Sequence, residues 1–279
     1  MAKSLSPLRY PGGKSKIYDK VKTVIQSNAL DSRTYIEPFA GGFGIGISLL
    51  YNNVVKTAVL NDFDPHIYHF WFAVLNHSDE LIEKIENTPI TMEEREKQRA
   101  IYQDGSSDML NDGFATLFLN RVNFSGVING GPIGGLSQNG TYKLDCRFNK
   151  KEIIKKIETI TLLRNRITLY NCDASELIIN ELCDTKNIAF FNIDPPYVVK
   201  GSRLYTNYFK EADHRNLAAV IAEQLRDTPW IITYDDSELI RDIYKQYFIT
   251  EYDIQHNAGG TVHGKELVIT NIQNESFIW

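Results

Sequence analysis

Three cysteines in 279 residues, Cys146, Cys172 and Cys183, are too few and too scattered for a disulfide framework or a metal site. They read as reduced thiols in a cytoplasmic protein. No apolar run approaches the roughly 18 residues that a bilayer-spanning helix needs. The opening MAKSLSPLRYPGGK lacks the apolar stretch of a secretory signal, so neither a membrane nor export is expected. Internal repeats and low-complexity tracts are absent too. The glycines of GGFGIG do not fall at G-x-G-x-x-G offsets, which counts against a nicotinamide-dependent oxidoreductase. Positive charge is scarce overall, with a net charge of −5, but it is unevenly spread. Residues 1–22 carry six basic groups and one acid, and residues 141–166 carry eight basic groups and three acids. An acidic chain with two basic segments still presents a basic face to a polyanion. Within the second segment, KKEIIKKIE also has the pattern of an ordinary solvated helix.

What is present is an alternation of short strands and helices. TYIEPFAGG reads as a strand running into a glycine turn, FGIGISLLY as a helix, and KTAVLND as a strand ending in acid. After further helices the rhythm returns with RITLYNCDA, IAFFNIDPPY and WIITYDD as strands and DHRNLAAVIAEQLRD as a helix. The end reads as an antiparallel hairpin. This order predicts an α/β fold with a mostly parallel sheet covered on both faces. Residues 75–165 interrupt it with helices, including TMEEREKQRAIYQ behind a capping box of Thr91 and Glu94. They also hold a long irregular loop, VNFSGVINGGPIGGLSQNG. The block is expected to form a smaller inserted domain, leaving 1–74 and 166–279 as the main one.

Ligands in such sheets bind beyond the carboxyl ends of the strands. The turn EPFAGG lets backbone approach a ligand closely, and Asp62 of NDFD follows at the distance where an acid takes ribose hydroxyls. Asp173 serves equally well as such an acid or as a helix N-cap. The most telling stretch is NIDPPY. A buried strand stops at Pro195 and Pro196, which cannot donate to a ladder. It presents the Asp194 carboxylate, the rigid Pro195 carbonyl and the Tyr197 ring. Two acceptors of that kind hold a planar amino group with its lone pair turned toward a methyl donor, so that positioning carries the catalysis without a metal or a covalent nucleophile. Tyr197 offers a face on which a base stacks.

With RYPGGK, EPFAGG, NDFD, LFLNRVNFSG and NIDPPY in this order, nearly the whole chain resembles the Dam-like (D12 class, α-group) adenine-N6 DNA methyltransferases. The resemblance implies a Rossmann-like seven-stranded methyltransferase sheet with an inserted, mainly helical target-recognition domain. It implies S-adenosyl-L-methionine held by Tyr10, Gly12 and Lys14, by Glu37, Pro38, Phe39 and Gly41, and by Asp62, Phe63, Asp173 and Asp194. The catalytic group would be Asp194, Pro195, Pro196 and Tyr197, acting on an adenine flipped out of double-stranded DNA. Arg9 matches a basic position that reads a base in some relatives. Arg121, Asn123 and Phe124 are candidates for holding the duplex, with Phe124 either wedged into the space the base leaves or lying in the core. Relatives that read GATC carry an arginine just beyond this segment. Asn129 is the nearest match here, so that specificity does not carry over, although Asn129 and Gln138 both have side chains that read adenine. GSRLYTNYF is expected to form a flap carrying Tyr205 and Tyr208. The chain is expected to act as a monomer on DNA, alone or beside a cognate restriction endonuclease. Methylation of cytosine N4 or of an RNA adenine would use the same amine geometry. A DNA-binding protein that has lost catalysis would have no need to keep both Asp62 and Asp194.

Overall fold

A computed structural model describes residues 4–9, 17–105, 108–198, 209–256 and 262–273. Its strands are β1 (Thr34–Glu37), β2 (Ala58–Asn61), β3 (Ile167–Tyr170), β4 (Ala189–Ile193), β5 (Trp230–Asp235), β6 (Phe248–His256) and β7 (Val262–Thr270). They form one sheet in the order β3-β2-β1-β4-β5-β7-β6. The first five are parallel to one another. β7 runs antiparallel between β5 and β6, so the expected terminal hairpin is present. The central strands β4 and β5 are buried throughout, and edge strand β3 is partly exposed. Strands covered on both faces need continuous apolar runs, which AFFNI and WIIT supply.

Successive strand residues point to opposite faces and so feed two cores. Tyr35, Leu60, Phe190 and Ile231 lie in one core, with α1 (Tyr18–Ser27), α2 (Gly44–Tyr51) and α3 (Pro65–Asn76). Ile36, Phe191 and Ile232 lie in the other. That second core also takes residues that follow α8 (Ala174–Glu176), together with α9 (Glu211–Gln224) and α10 (Glu238–Ile243).

Between β2 and β3 the chain adds α4 (Ser78–Asn87), α5 (Met92–Asp104), α6 (Met109–Val122) and α7 (Lys150–Thr161). Leu81, Ile85, Leu117, Phe118, Ile153 and Ile157 belong to the same cluster as Tyr35 and Leu60. The hydrophobic core therefore crosses the boundary expected at residue 75. Each such side chain, fully buried, contributes about 1.5–3 kcal/mol. Helix α6 is buried continuously from Asp112 to Val122. α7 buries Ile153, Ile157 and Ile160 and leaves Lys151 and Lys155 exposed, as its pattern predicts, while half-buried Lys150 donates to the Glu86 and Thr88 carbonyls and Lys156 to the Ser6 carbonyl. Thr91 caps α5 by accepting from the Glu94 backbone at 3.1 Å. The Glu94 carboxylate accepts from the Gln98 amide at 2.7 Å.

Candidate active site

The chain fills the sheet outward from β1 to β3, returns to β4 beside β1, and continues the other way. The carboxyl ends of β1 and β4 therefore frame the switch point, where open α/β sheets leave a crevice. Gly41 sits there at φ 46°, in the left-handed region that glycine enters without strain. Its N–H donates to Asp62 Oδ2 at 2.8 Å, and the Asp64 N–H donates to Oδ1 at 3.0 Å. The glycine turn after β1 and the acid after β2 are thus one unit. Burial pushes the Asp62 carboxyl up to about 7. Phe63 beside it is largely exposed.

Glu37, at the end of β1, is buried, which pushes its carboxyl up to about 8. Its Oε1 accepts from the Tyr35 hydroxyl at 2.7 Å and the Gly46 N–H at 3.1 Å. The Tyr35 hydroxyl in turn accepts from Asn192 of β4 at 2.6 Å. This chain of contacts fastens β4 to β1 and to the start of α2. Asn61, fully buried, performs the same task for three strand ends. It donates to the carbonyls of Pro38 and Cys172 and accepts from the Cys172 N–H. Its position before Asp62 was the signal available in the sequence. Asp173 does act as a helix cap, accepting from Ser175 N–H at 2.8 Å.

After β4, Thr233 of β5 donates to Asp194 Oδ1 at 2.7 Å. Pro195 is buried and Pro196 half-buried. Tyr197 is only 9% exposed, so most of its ring is packed rather than open. Phe209 meets Phe39 of the first turn edge-on, with ring centroids 5.8 Å apart. Asp62, Gly41 and Asp194 therefore come from three adjacent strands at one end of the sheet. Tyr10, Gly12, Lys14, Tyr205 and Tyr208 lie outside the described residues.

The residues assigned to DNA divide by exposure. Phe124 is 63% exposed, which excludes a core role. Asn129 is exposed, and its side chain meets the Tyr102 hydroxyl. Asn123 is fully buried with both ends of its amide engaged, accepting from Arg95 Nε at 2.8 Å and donating to the Ile128 carbonyl at 2.6 Å. It holds the loop's shape and is not presented to a duplex, which corrects its reading as a DNA contact. Gln138 is committed in the same way. It donates to the carbonyls of Ile133 and Gly135 and accepts from the Leu144 N–H. Arg95, buried in α5, also donates to the Gly130 carbonyl at 3.0 Å. Nothing in the helical pattern of α5 announced that role.

Asn120 grips Arg9 by both its backbone N–H and its carbonyl. A Cβ on Gly126, at φ 79°, would stand 2.3 Å from the Arg9 carbonyl oxygen, so only glycine fits there. Arg121 is buried, its Nε meets no hydrogen-bond partner among the described residues, and burial with the nearby Arg9 lowers its pKa to about 10. Burial and neighbouring Arg147 likewise lower that of Arg9. Among the described residues no cluster of three or more potential ligands is placed to hold a metal.

A seven-stranded sheet in this order, with strand-end acids and an Asp-Pro-Pro-Tyr turn at the switch point, defines a Rossmann-like methyltransferase. Residues 10–257 match the D12 class N6 adenine-specific DNA methyltransferases, and the chain belongs to that family. It is similar to the Type II methyltransferase M.CviBI of Paramecium bursaria Chlorella virus NC1A, 24% identical, with 95% of this chain and 98% of the relative covered. The Type II methyltransferase M1.LlaDCHI of Lactococcus lactis subsp. cremoris is 22% identical, with 95% of both chains covered. M.MjaIII of Methanocaldococcus jannaschii is 24% identical over 73% of both. Among solved structures, the rRNA methyltransferase aviRa of Streptomyces viridochromogenes aligns with a TM-score of 0.41 at 11% identity, covering 90% of this chain and 84% of that one. Similarity at that level carries no weight on function.

Proposed function

We propose that the chain transfers a methyl group from S-adenosyl-L-methionine to the N6 amine of an adenine flipped out of duplex DNA. The observation that carries this reading is the placement of Asp194 beside the Asp62–Gly41 unit at one sheet end. The residues fit the cofactor: Asp62 for the ribose hydroxyls, the exposed Phe63 as a platform for its adenine, and Asp173 at the neighbouring strand end. Bound there, the cofactor supplies an electrophilic methyl on a sulfonium. Asp194 and the Pro195 carbonyl accept the two hydrogens of the target amine and so aim its lone pair at that methyl carbon. Thr233 fixes the carboxylate by engaging Oδ1 from behind. As the N–C bond would form, the methyl–sulfur bond would break to leave a neutral thioether, and the positive charge gained by the nitrogen would be stabilised by the Asp194 carboxylate until the amine gives one proton to solvent.

The DNA face is proposed to run from Arg9 and Arg121 to Phe124 and Asn129, within the inserted helical region. Burial lowers the proton affinity of Arg9 and Arg121, with Arg147 adding to the effect on Arg9 and Arg9 to that on Arg121, and a backbone phosphate satisfies such a group. Phe124 is placed to enter the base stack. No helix among the described residues is long and apolar enough to cross a membrane.

The test uses tritiated S-adenosyl-L-methionine with unmethylated duplex DNA of mixed sequence and, in parallel, with RNA, followed by digestion to nucleosides. Label in N6-methyladenine is expected. Label in N4-methylcytosine would change the substrate, and label in RNA alone would overturn the DNA reading.

A further inference from the structure

Two buried acids of the sheet remain outside the chemistry described so far. Glu266 of β7 is 1% exposed and Asp235 of β5 is 4% exposed. They stand directly opposite each other in the β5–β7 ladder. Like charges facing one another in a sheet are unfavourable, so acids kept there call for donors. Those donors come from the catalytic turn. The Tyr197 hydroxyl donates to Glu266 Oε2 at 2.9 Å, and the Val198 N–H donates to Asp235 Oδ1 at 3.0 Å. Tyr252 of β6, itself opposite Glu266, donates to the same Oε2 at 2.5 Å. With Thr233 on Asp194, the turn from Asp194 to Val198 is gripped at its acid, its ring and its backbone by side chains of two adjacent strands.

We propose that Glu266 is a positioning residue for methyl transfer. It fixes the direction of the Tyr197 ring through the phenolic hydroxyl, and Tyr252 holds the Glu266 carboxylate in place. The inference rests on the proposed reaction, in which Tyr197 supplies the face for the flipped base. A ring pivoting about Cβ sweeps the base stacked on it, and with it the amine, away from the methyl carbon. An error of about 1 Å there costs roughly a hundredfold in rate.

The test compares wild type, E266Q, Y197F and the double variant. It measures kcat on duplex DNA, KM for S-adenosyl-L-methionine, melting temperature, and the fluorescence of 2-aminopurine at the target position. In both single variants kcat should fall roughly ten- to hundredfold while KM for the cofactor stays within about twofold. The 2-aminopurine quenching that reports stacking should weaken in both. The double variant should be no slower than the slower single variant, since both changes act on one contact, Y197F by removing its donor and E266Q by replacing its carboxylate with an amide. Y197F leaves the acid in place and makes the same test should E266Q not fold. Active wild type with unchanged kcat in E266Q or Y197F overturns the inference, as do losses that multiply in the double variant. Wild type that transfers no methyl to any DNA overturns the proposed reaction and this role with it.

Discussion

Two irregular segments follow buried elements in this protein, the turn after β4 and the loop after α6, and they are held in different ways. The turn is fastened from outside itself. Thr233 and Asp235 belong to β5, which lies beside β4 in the sheet, and Glu266 belongs to β7 on the far side of β5, so none is part of the turn. The loop after α6 is fastened largely by its own amides, Asn123 and Gln138, with Arg95 as an external post. Carboxylates behind the turn fix a single geometry through charge-assisted bonds. Neutral amides inside the loop leave its exposed residues, Phe124 and Asn129, to vary without disturbing the sheet. The proposed chemistry is thus tied to neighbouring strands of the sheet, and the proposed recognition to a segment that carries much of its own scaffold.

Breaking the turn should give the largest effect. D194A is expected to lower methyl transfer about a hundredfold or more, with an unchanged melting temperature. A fall in melting temperature of comparable weight would mean that the turn also stabilises the fold. Breaking the loop should do the reverse. N123A leaves the buried Arg95 guanidinium and the Ile128 carbonyl without their partner, at a cost of about 1–3 kcal/mol in chemical denaturation. Target preference should blur in that variant while turnover on the best site changes less. A sharper contrast comes from E37Q. Folded Glu37 keeps a proton up to about pH 8, which the unfolded chain releases near 4.5. Stability should therefore fall as pH rises through that window, by up to about 1.4 kcal/mol per unit for this group, and level off above it. E37Q, which mimics the protonated acid, should lose this slope, and an identical slope would refute the assignment. F124A should do least to the fold, because the ring is exposed, and should show only in weaker duplex binding, read by fluorescence anisotropy.

The comparison also explains what was legible in the sequence. IAFFNIDPPY announced the strand, its end and its acid, because burial on both faces and two prolines leave few alternatives. EPFAGG and NDFD announced their strand ends equally well. Asn123 and Gln138 were visible as polar residues in a glycine-rich stretch, but composition does not tell whether an amide faces a base or a neighbouring carbonyl. Glu266 was harder still. Its place in HGKELVIT marks it as a strand residue, and only the ladder partner Asp235, from another strand, shows that its side chain is buried. The Thr91 box was half right: the threonine caps the helix, and the glutamate pairs with Gln98.

The bond between Asn192 and Tyr35 joins residues 157 apart in the chain. At the usual pace of synthesis, about 5–20 residues per second, roughly 10–30 s separate the emergence of one from that of the other. Until then the ribosome holds a chain with its glycine turn and its ribose acid made, and with no neighbour on the other side of β1. The crevice does not exist in that interval, so on the proposed reading a nascent chain carries the cofactor-binding groups of the first strands without the power to act on a base. Activity then needs the fourth strand beside the first and the fifth and seventh strands behind its turn.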